Sequence, residues 1–157
     1  MESGTLKERR PVSRNWILVL DGLADPVSRS RDFTRRALTA WQWLPATTAR
    51  GRQAAEDALL LVSEVVANAR LHGGGPGALV LDCRGERLRI EVTDLNPAPP
   101  VPPGSGSRGG VGPGGGPVRP GWPGGYGLLI VDRLALAWGS RPGAAGKCVW
   151  AELPCPS

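Results

Sequence analysis

From Pro97 to Pro123 about two thirds of the residues are Gly or Pro, and no apolar period runs through them. Such a stretch contributes neither helix nor strand, because Gly is costly to order and Pro removes backbone donors. A structureless loop of that length inside one domain is either a functional lid or disordered. The 157-residue chain must therefore build its core from the segments on either side, roughly 120 residues, which suffices for one domain.

Those segments are regularly patterned. The run WILVL, Trp16–Leu20, predicts a buried strand, and DGLADP after it a turn. Apolar residues at Val27, Phe33, Ala37, Leu38 and Trp41 predict a helix ending near Leu44–Pro45. After a linker, ATTARGR, a second helix is expected from about Gln53 to His72, stopped by Gly73–Gly75. Ala78–Cys83 and Arg87–Asp94 read as a hairpin turning at Arg84–Gly85–Glu86, with Leu88, Ile90 and Val92 on the buried face. Beyond the Gly/Pro block, an amphipathic helix is expected from Gly127 to about Ala137. A short strand near Trp138 and a closing strand, Lys147–Leu153, follow. The expected fold is an α/β (α+β) two-layer sandwich, a mixed and mostly antiparallel sheet with helices on one face. Residues 1–14 are a polar, flexible terminus, and 15–157 one domain.

Composition narrows the chemistry. The net charge of +5 is carried almost wholly by Arg, but no basic run exists; RSRDFTRR is interrupted by Asp32 and apolar residues. Nucleic-acid binding therefore rests on the Arg excess alone and is not expected. Three widely spaced cysteines and one histidine give neither a disulfide framework nor a zinc site. No apolar run is long enough for a membrane span, so a reduced, cytoplasmic protein is expected.

The second helix carries an anomaly. Glu64, Asn68 and His72 recur at every fourth position and drift by only roughly 40° per step, so they share one stripe. Leu61 and Val65 flank it on one side, Leu60, Ala67 and Leu71 on the other. Only Glu56, Ser63 and Arg70 are plainly wet, which predicts a helix buried nearly all round. An unpaired buried carboxylate costs several kcal/mol, so Glu64 needs a partner, a metal or a water-filled pocket, unless it reaches solvent from the helix edge. Two other motifs fail on context. GSGSRG (Gly104–Gly109) spells G-x-G-x-x-G but follows prolines rather than a strand. GAAGKC (Gly143–Cys148) is too short for a P-loop and lacks its Ser/Thr.

Four segments in order, SEVVANARLH, EVTDLNP, GGYGLLIVD and GKCVWAEL, resemble the motifs of the GHKL (Bergerat-fold) histidine-kinase-like ATPase family, with the Gly/Pro block between the second and third. The likeness runs from about Trp16 to Leu153. It is nearest to the small ATP-binding anti-sigma-factor serine/threonine-protein kinases of high-GC Gram-positive bacteria. The resemblance implies a Bergerat ATP-binding fold, with ATP and Mg²⁺ as cofactors and residues 97–123 as the ATP lid. It implies that Asn68 ligates Mg²⁺, that Glu64 activates the nucleophile, and that Asp94 accepts a hydrogen bond from the adenine amino group. Gly125, Tyr126 and Gly127 match the second glycine box, and Leu128 would cover the nucleotide. Asn96 stands where the family commonly has Gly, Ser or Thr, and Cys148 where it usually has Thr; both border the implied ATP site. His72 marks the family motif.

The expected function is transfer of the ATP γ-phosphate to Ser or Thr of an antagonist protein, within a switch that also holds a sigma factor. The alternative is an ATP-binding regulator with weak or no catalysis. Relatives of this kind often dimerise, so a homodimer is an open expectation, and no membrane association is implied.

Overall fold

Strict alternation in RLRIEVTD makes one strand face apolar and the other charged, and such a strand needs a helical layer on its apolar side only. The computed structural model, which describes residues 14–72, 74–96, 127–144 and 146–156, is built on that requirement. Its elements are β1 (Asn15–Val19), α1 (Pro26–Ala40), α2 (Ala49–His72), β2 (Pro76–Arg84), β3 (Arg87–Asp94), α3 (Gly127–Leu134), β4 (Ala137–Pro142) and β5 (Lys147–Pro154). The five strands form one sheet in the order β1-β2-β3-β5-β4. Every pairing is antiparallel, so among the described residues the sheet is not mixed. The protein is thus α+β, with helices layered on one face of an antiparallel sheet.

The core lies between that face and the helices. Leu79, Leu81 and Cys83 from β2, Leu88, Ile90 and Val92 from β3, and Val149, Ala151 and Leu153 from β5 are all buried. They meet Ala55, Ala58, Leu61, Val62, Val65, Val66 and Ala69, the sheet-facing surface of α2. Each fully buried Leu, Ile or Val contributes about 1.5–3 kcal/mol. On α1, Phe33, Ala37 and Leu38 are buried, and Trp16 meets Phe33 and Trp41 edge-on at 5.7 and 6.2 Å.

Several local expectations shift. β1 is an edge strand, so WILVL is not buried throughout: Ile17 and Val19 are each 63% exposed on the outer face, while Trp16 and Leu18 pack on the core. α1 begins at Pro26 beneath Asp25, whose side chain accepts the Ser28 N–H at 3.3 Å, and stops at Ala40 rather than near Leu44. α2 begins four residues before Gln53. Thr48 caps it, its Oγ1 accepting the Gly51 N–H at 2.9 Å, so part of the expected linker is helix. α2 is also less enclosed than its composition suggests, with Leu60 and Leu71 41% and 55% exposed. α3 ends at Leu134, and the residues after it turn into β4, a full strand of six residues around Trp138. Among the described residues no helix is long and apolar enough to cross a membrane.

Candidate functional site

α2 and β3 deliver their polar residues to the same end of the molecule. α2 closes beside its C-terminus, where the Gly75 N–H reaches back to the Ala69 carbonyl at 3.3 Å and Gly74 adopts φ +70°. A Cβ on Gly74 would lie 3.7 Å from the Leu95 side chain, so this turn abuts the segment leaving β3. Pro76, the first residue of β2, pairs with Asp94, the last of β3. The final turns of α2 and the ends of β3 and β5 therefore converge.

Asn68, one turn before the end of α2, is buried, yet its amide forms no side-chain hydrogen bond to a described residue. Its amide is not among the fully buried, unpartnered polar atoms of the described residues, which leaves it open to water or a ligand. Glu64, one turn earlier, is half-buried and has no ion pair or hydrogen bond among the described residues. Burial pushes its carboxyl above the ordinary range, because desolvation disfavours the charged form. A carboxylate so placed is a stronger base than a solvated one. His72 closes the helix in sequence, as expected.

Asp94 is committed more heavily than the sequence suggests. Its side chain is fully buried, and its Oδ1 accepts the Asn96 N–H at 2.9 Å. That bond, two residues along the chain, is an Asx turn, so Asn96 serves the tight turn here without glycine. Opposite Asp94 in the β3–β5 register stands Lys147, also buried. Its Nζ donates to Oδ1 at 3.2 Å and to the Asn96 carbonyl at 3.1 Å. It also lies 2.9 Å from Oδ2, so the ammonium spans both carboxylate oxygens. Oδ2 is thus charge-compensated by the ammonium. Sequence reasoning missed Lys147 altogether; the alternation of KCVWAEL could have placed it on the inner face with Val149 and Ala151.

Gly146 makes this arrangement reachable. A Cβ there would overlap the Asp94 carbonyl oxygen and lie 2.6 Å from the Leu95 carbonyl carbon, so only glycine lets β5 enter this close to β3. Cys148 falls elsewhere. It pairs with Thr93 and Arg141 on the outer face, whereas Asp94 and Lys147 project toward the helices. Burial holds its thiol above the usual range, and its main charged neighbours are Glu91, Arg141 and Arg89. Asp94, Asn96 and Lys147 therefore form one cluster at the end of the sheet, Glu64 and Asn68 lie on α2, and Cys148 sits on the outer face. Gly127 and Leu128 open α3; Gly125, Tyr126 and the Pro97–Pro123 lid lie outside the described residues.

Three of the seventeen arginines are paired with two glutamates on the outer face. Arg89 bonds Glu91 at 2.7 Å and Glu152 at 2.9 Å, and its guanidinium stacks 4.4 Å above the Trp150 ring. Arg87 adds a bond to Glu152 at 2.9 Å, and Arg141 grips Glu91 at 3.1 and 3.2 Å. Burial pushes Glu91 up, but the hydrogen bond from Arg89 and the charge of Arg141 outweigh it and hold the carboxyl low. Paired in this way, these arginines are spent within the sheet rather than offered as a free basic stripe.

Neither the known protein-family models nor the curated proteins match this chain. What the fold and the site define is a class by geometry alone. It is a two-layer α+β domain with a half-buried carboxylate and a buried amide on one helix, and a buried acid–ammonium pair on two strands.

Proposed function

We propose that this protein is an ATP-binding regulator of the GHKL (Bergerat-fold) kind that transfers the γ-phosphate to Ser or Thr of an antagonist protein. The observation that carries the reading is the pair on α2: Asn68 and Glu64, one turn apart, buried and half-buried, and both without a described side-chain partner. A structural role would pair them, whereas a ligand-binding role leaves their capacity for the ligand.

The residue types suit the group. The Asn68 amide oxygen is a neutral, hard donor of the kind that Mg²⁺ shares with phosphates and waters. Mg²⁺ at that oxygen would neutralise charge developing on the transferred phosphoryl. Glu64, its basicity raised by burial, accepts the proton of the attacking hydroxyl as its oxygen bonds to phosphorus and the bond to the bridging oxygen of ADP breaks. The Asp94 carboxylate is an acceptor of the kind that suits the adenine amino group, and Leu128 would lie over the nucleotide. The protein partners in this reading are the antagonist that receives the phosphate and a sigma factor released by the exchange.

The Lys147–Asp94 pair favours a second reading. An ammonium 2.9 Å from Oδ2 already occupies the neighbourhood of a base amino group. Nucleotide would then bind weakly and act by shaping a protein-binding surface without turnover.

Calorimetric titration of Mg²⁺-ATP into the full chain and into Asn68→Ala tests the shared part. Saturable binding weakened at least tenfold by the substitution (about 1.4 kcal/mol or more) is expected. No binding to the unaltered chain overturns both readings. Radiolabel transfer to an antagonist protein, lost in Glu64→Ala, separates the kinase from the passive regulator; nucleotide-sensitive partner binding without transfer selects the second.

A further inference from the structure

Two of the three cysteines meet although 72 positions separate them. Cys83, at the end of β2, faces the core and is buried, and Cys155 follows directly after β5. Their Sγ atoms are 3.4 Å apart, and both are free thiols. The meeting follows from the register. Cys83 pairs with Leu88, and Leu88 pairs with Leu153, so β2 and β5 flank β3 on the inner face. Cys155 then continues past Leu153 over the turn end of the β2–β3 hairpin. One backbone bond, from the Cys155 N–H to the Glu86 carbonyl at 2.8 Å, holds it there.

The surroundings make the pair asymmetric. Cys83 has no route to solvent, but Cys155 is half-buried and lines a cavity of about 160 Å³. Arg50, Gln53, Ala54 and Asp57 of α2 form its other wall. A small molecule that enters reaches the Cys155 sulfur first, with Cys83 in contact behind it. Cys148, on the far side of the sheet, has no such neighbour among the described residues.

We propose that Cys83 and Cys155 are a reversible redox-modification site, forming a disulfide that fastens the C-terminal segment to the β2–β3 end of the sheet. The oxidant is a small disulfide. The Cys155 thiolate attacks one of its sulfurs, forming a mixed disulfide and expelling one small thiolate. Cys83 then attacks the Cys155 sulfur and expels the second small thiolate, which takes the Cys83 proton as it leaves. The two protein thiols lose two electrons and two protons, and the small disulfide becomes two small thiols. The bond must draw the sulfurs together by about 1.4 Å to reach a disulfide length, a movement that the singly tethered Cys155 segment supplies. This site lies at the opposite end of the sheet from Asp94 and Lys147 and does not depend on the nucleotide reading.

Reactivity should track pH. Burial first, and then the contact with Cys83, push the Cys155 thiol up to about 12. Arg14 opposes this shift and Glu86 adds to it, while Arg50 and Asp57 face the same cavity from α2. The thiolate is the attacking form, so the oxidation rate should climb about tenfold per pH unit through the alkaline range.

Treating the full chain with oxidised glutathione, then alkylating and digesting it, tests the site. The expected product is a Cys83–Cys155 cross-linked peptide with Cys148 alkylated, all reversed by dithiothreitol. Because the closed loop is long, the oxidised chain should melt roughly 10 °C higher than the reduced one. Cys148→Ser should behave like the unaltered chain, and Cys155→Ser should show neither cross-link nor shift. Three alkylatable thiols after oxidation, a glutathione adduct that persists on Cys155, pairing through Cys148, or an unchanged melting temperature would each overturn the proposal.

Discussion

Lys147→Met isolates the buried charge pair at the end of the sheet. Methionine keeps the length and apolar body of the side chain but removes the ammonium that lies 2.9 and 3.2 Å from the two oxygens of Asp94. The side chains are 5% and 0% exposed, so water cannot replace the lost partner. Removing one member of such a pair costs about 3–5 kcal/mol, nearly all of it the uncompensated charge left behind. With a urea dependence of about 2 kcal/mol per molar, the unfolding midpoint should fall by roughly 2 M. The chain's six tryptophans give a fluorescence signal for the transition. Asp94→Leu should cost a similar amount by stranding the ammonium. The double variant Asp94→Leu/Lys147→Met strands neither, and should sit within about 2 kcal/mol of the unaltered chain, the residue being the lost bond to the Asn96 N–H. A single-variant loss below about 1 kcal/mol, or a double loss equal to the sum of the singles, would refute the claim that the two charges compensate one another.

Two further outcomes follow from the same end of the molecule. Glu64→Gln should be more stable than the unaltered chain at neutral pH. Burial raises the folded-state carboxyl, so the folded protein holds a proton that the unfolded chain has already released, and ionisation costs stability as pH rises through that window. The advantage of Gln should therefore vanish as pH falls through the folded-state titration of Glu64, and denaturant melts at several pH values would reveal a constant difference if the reasoning fails. Gly146→Ala should destabilise by about 3 kcal/mol, since the new Cβ meets main-chain atoms that cannot move aside. Thermal unfolding within a degree of the parent would count against that close approach.

Where a residue's role was local, the sequence disclosed it. RLRIEVTD is β3 to the residue, because alternation alone decides which side chains face the core. The α2 stripe was legible for the same reason, since helical spacing puts Glu64 and Asn68 on one line. Boundaries failed where a cap outweighed composition: Gly51 and its flanking arginines read as linker, yet Thr48 supplies the cap that starts α2 earlier. The edge position of β1 was invisible too, since WILVL is apolar on both faces while only one meets the core. Lys147 and the Cys83–Cys155 contact were harder still. They depend on strand register between segments 53 and 72 positions apart, and no local pattern encodes that.

Register is what the candidate site rests on. Because successive strand residues face opposite sides, a one-residue slip of β5 against β3 would set Cys148 opposite Asp94 and turn Lys147 outward. Asp94 would then be a buried, unpaired carboxylate. The outer face would lose as much, since Arg89 and Glu152 pair across the same two strands, and Trp150 sits under the Arg89 guanidinium only in this register. Gly146 enforces it from the end, as a side chain at that contact would collide with the β3 backbone. Asp94 therefore has a structural duty that precedes any ligand: it holds Lys147 and the Asn96 turn in place. A nucleotide using Oδ2 would exploit a carboxylate already oriented and charge-compensated, and would have to tolerate the ammonium beside it. Substituting Asp94 alone thus confounds the two duties, whereas Asn68, buried without a described side-chain partner, reports on the ligand without dismantling the sheet.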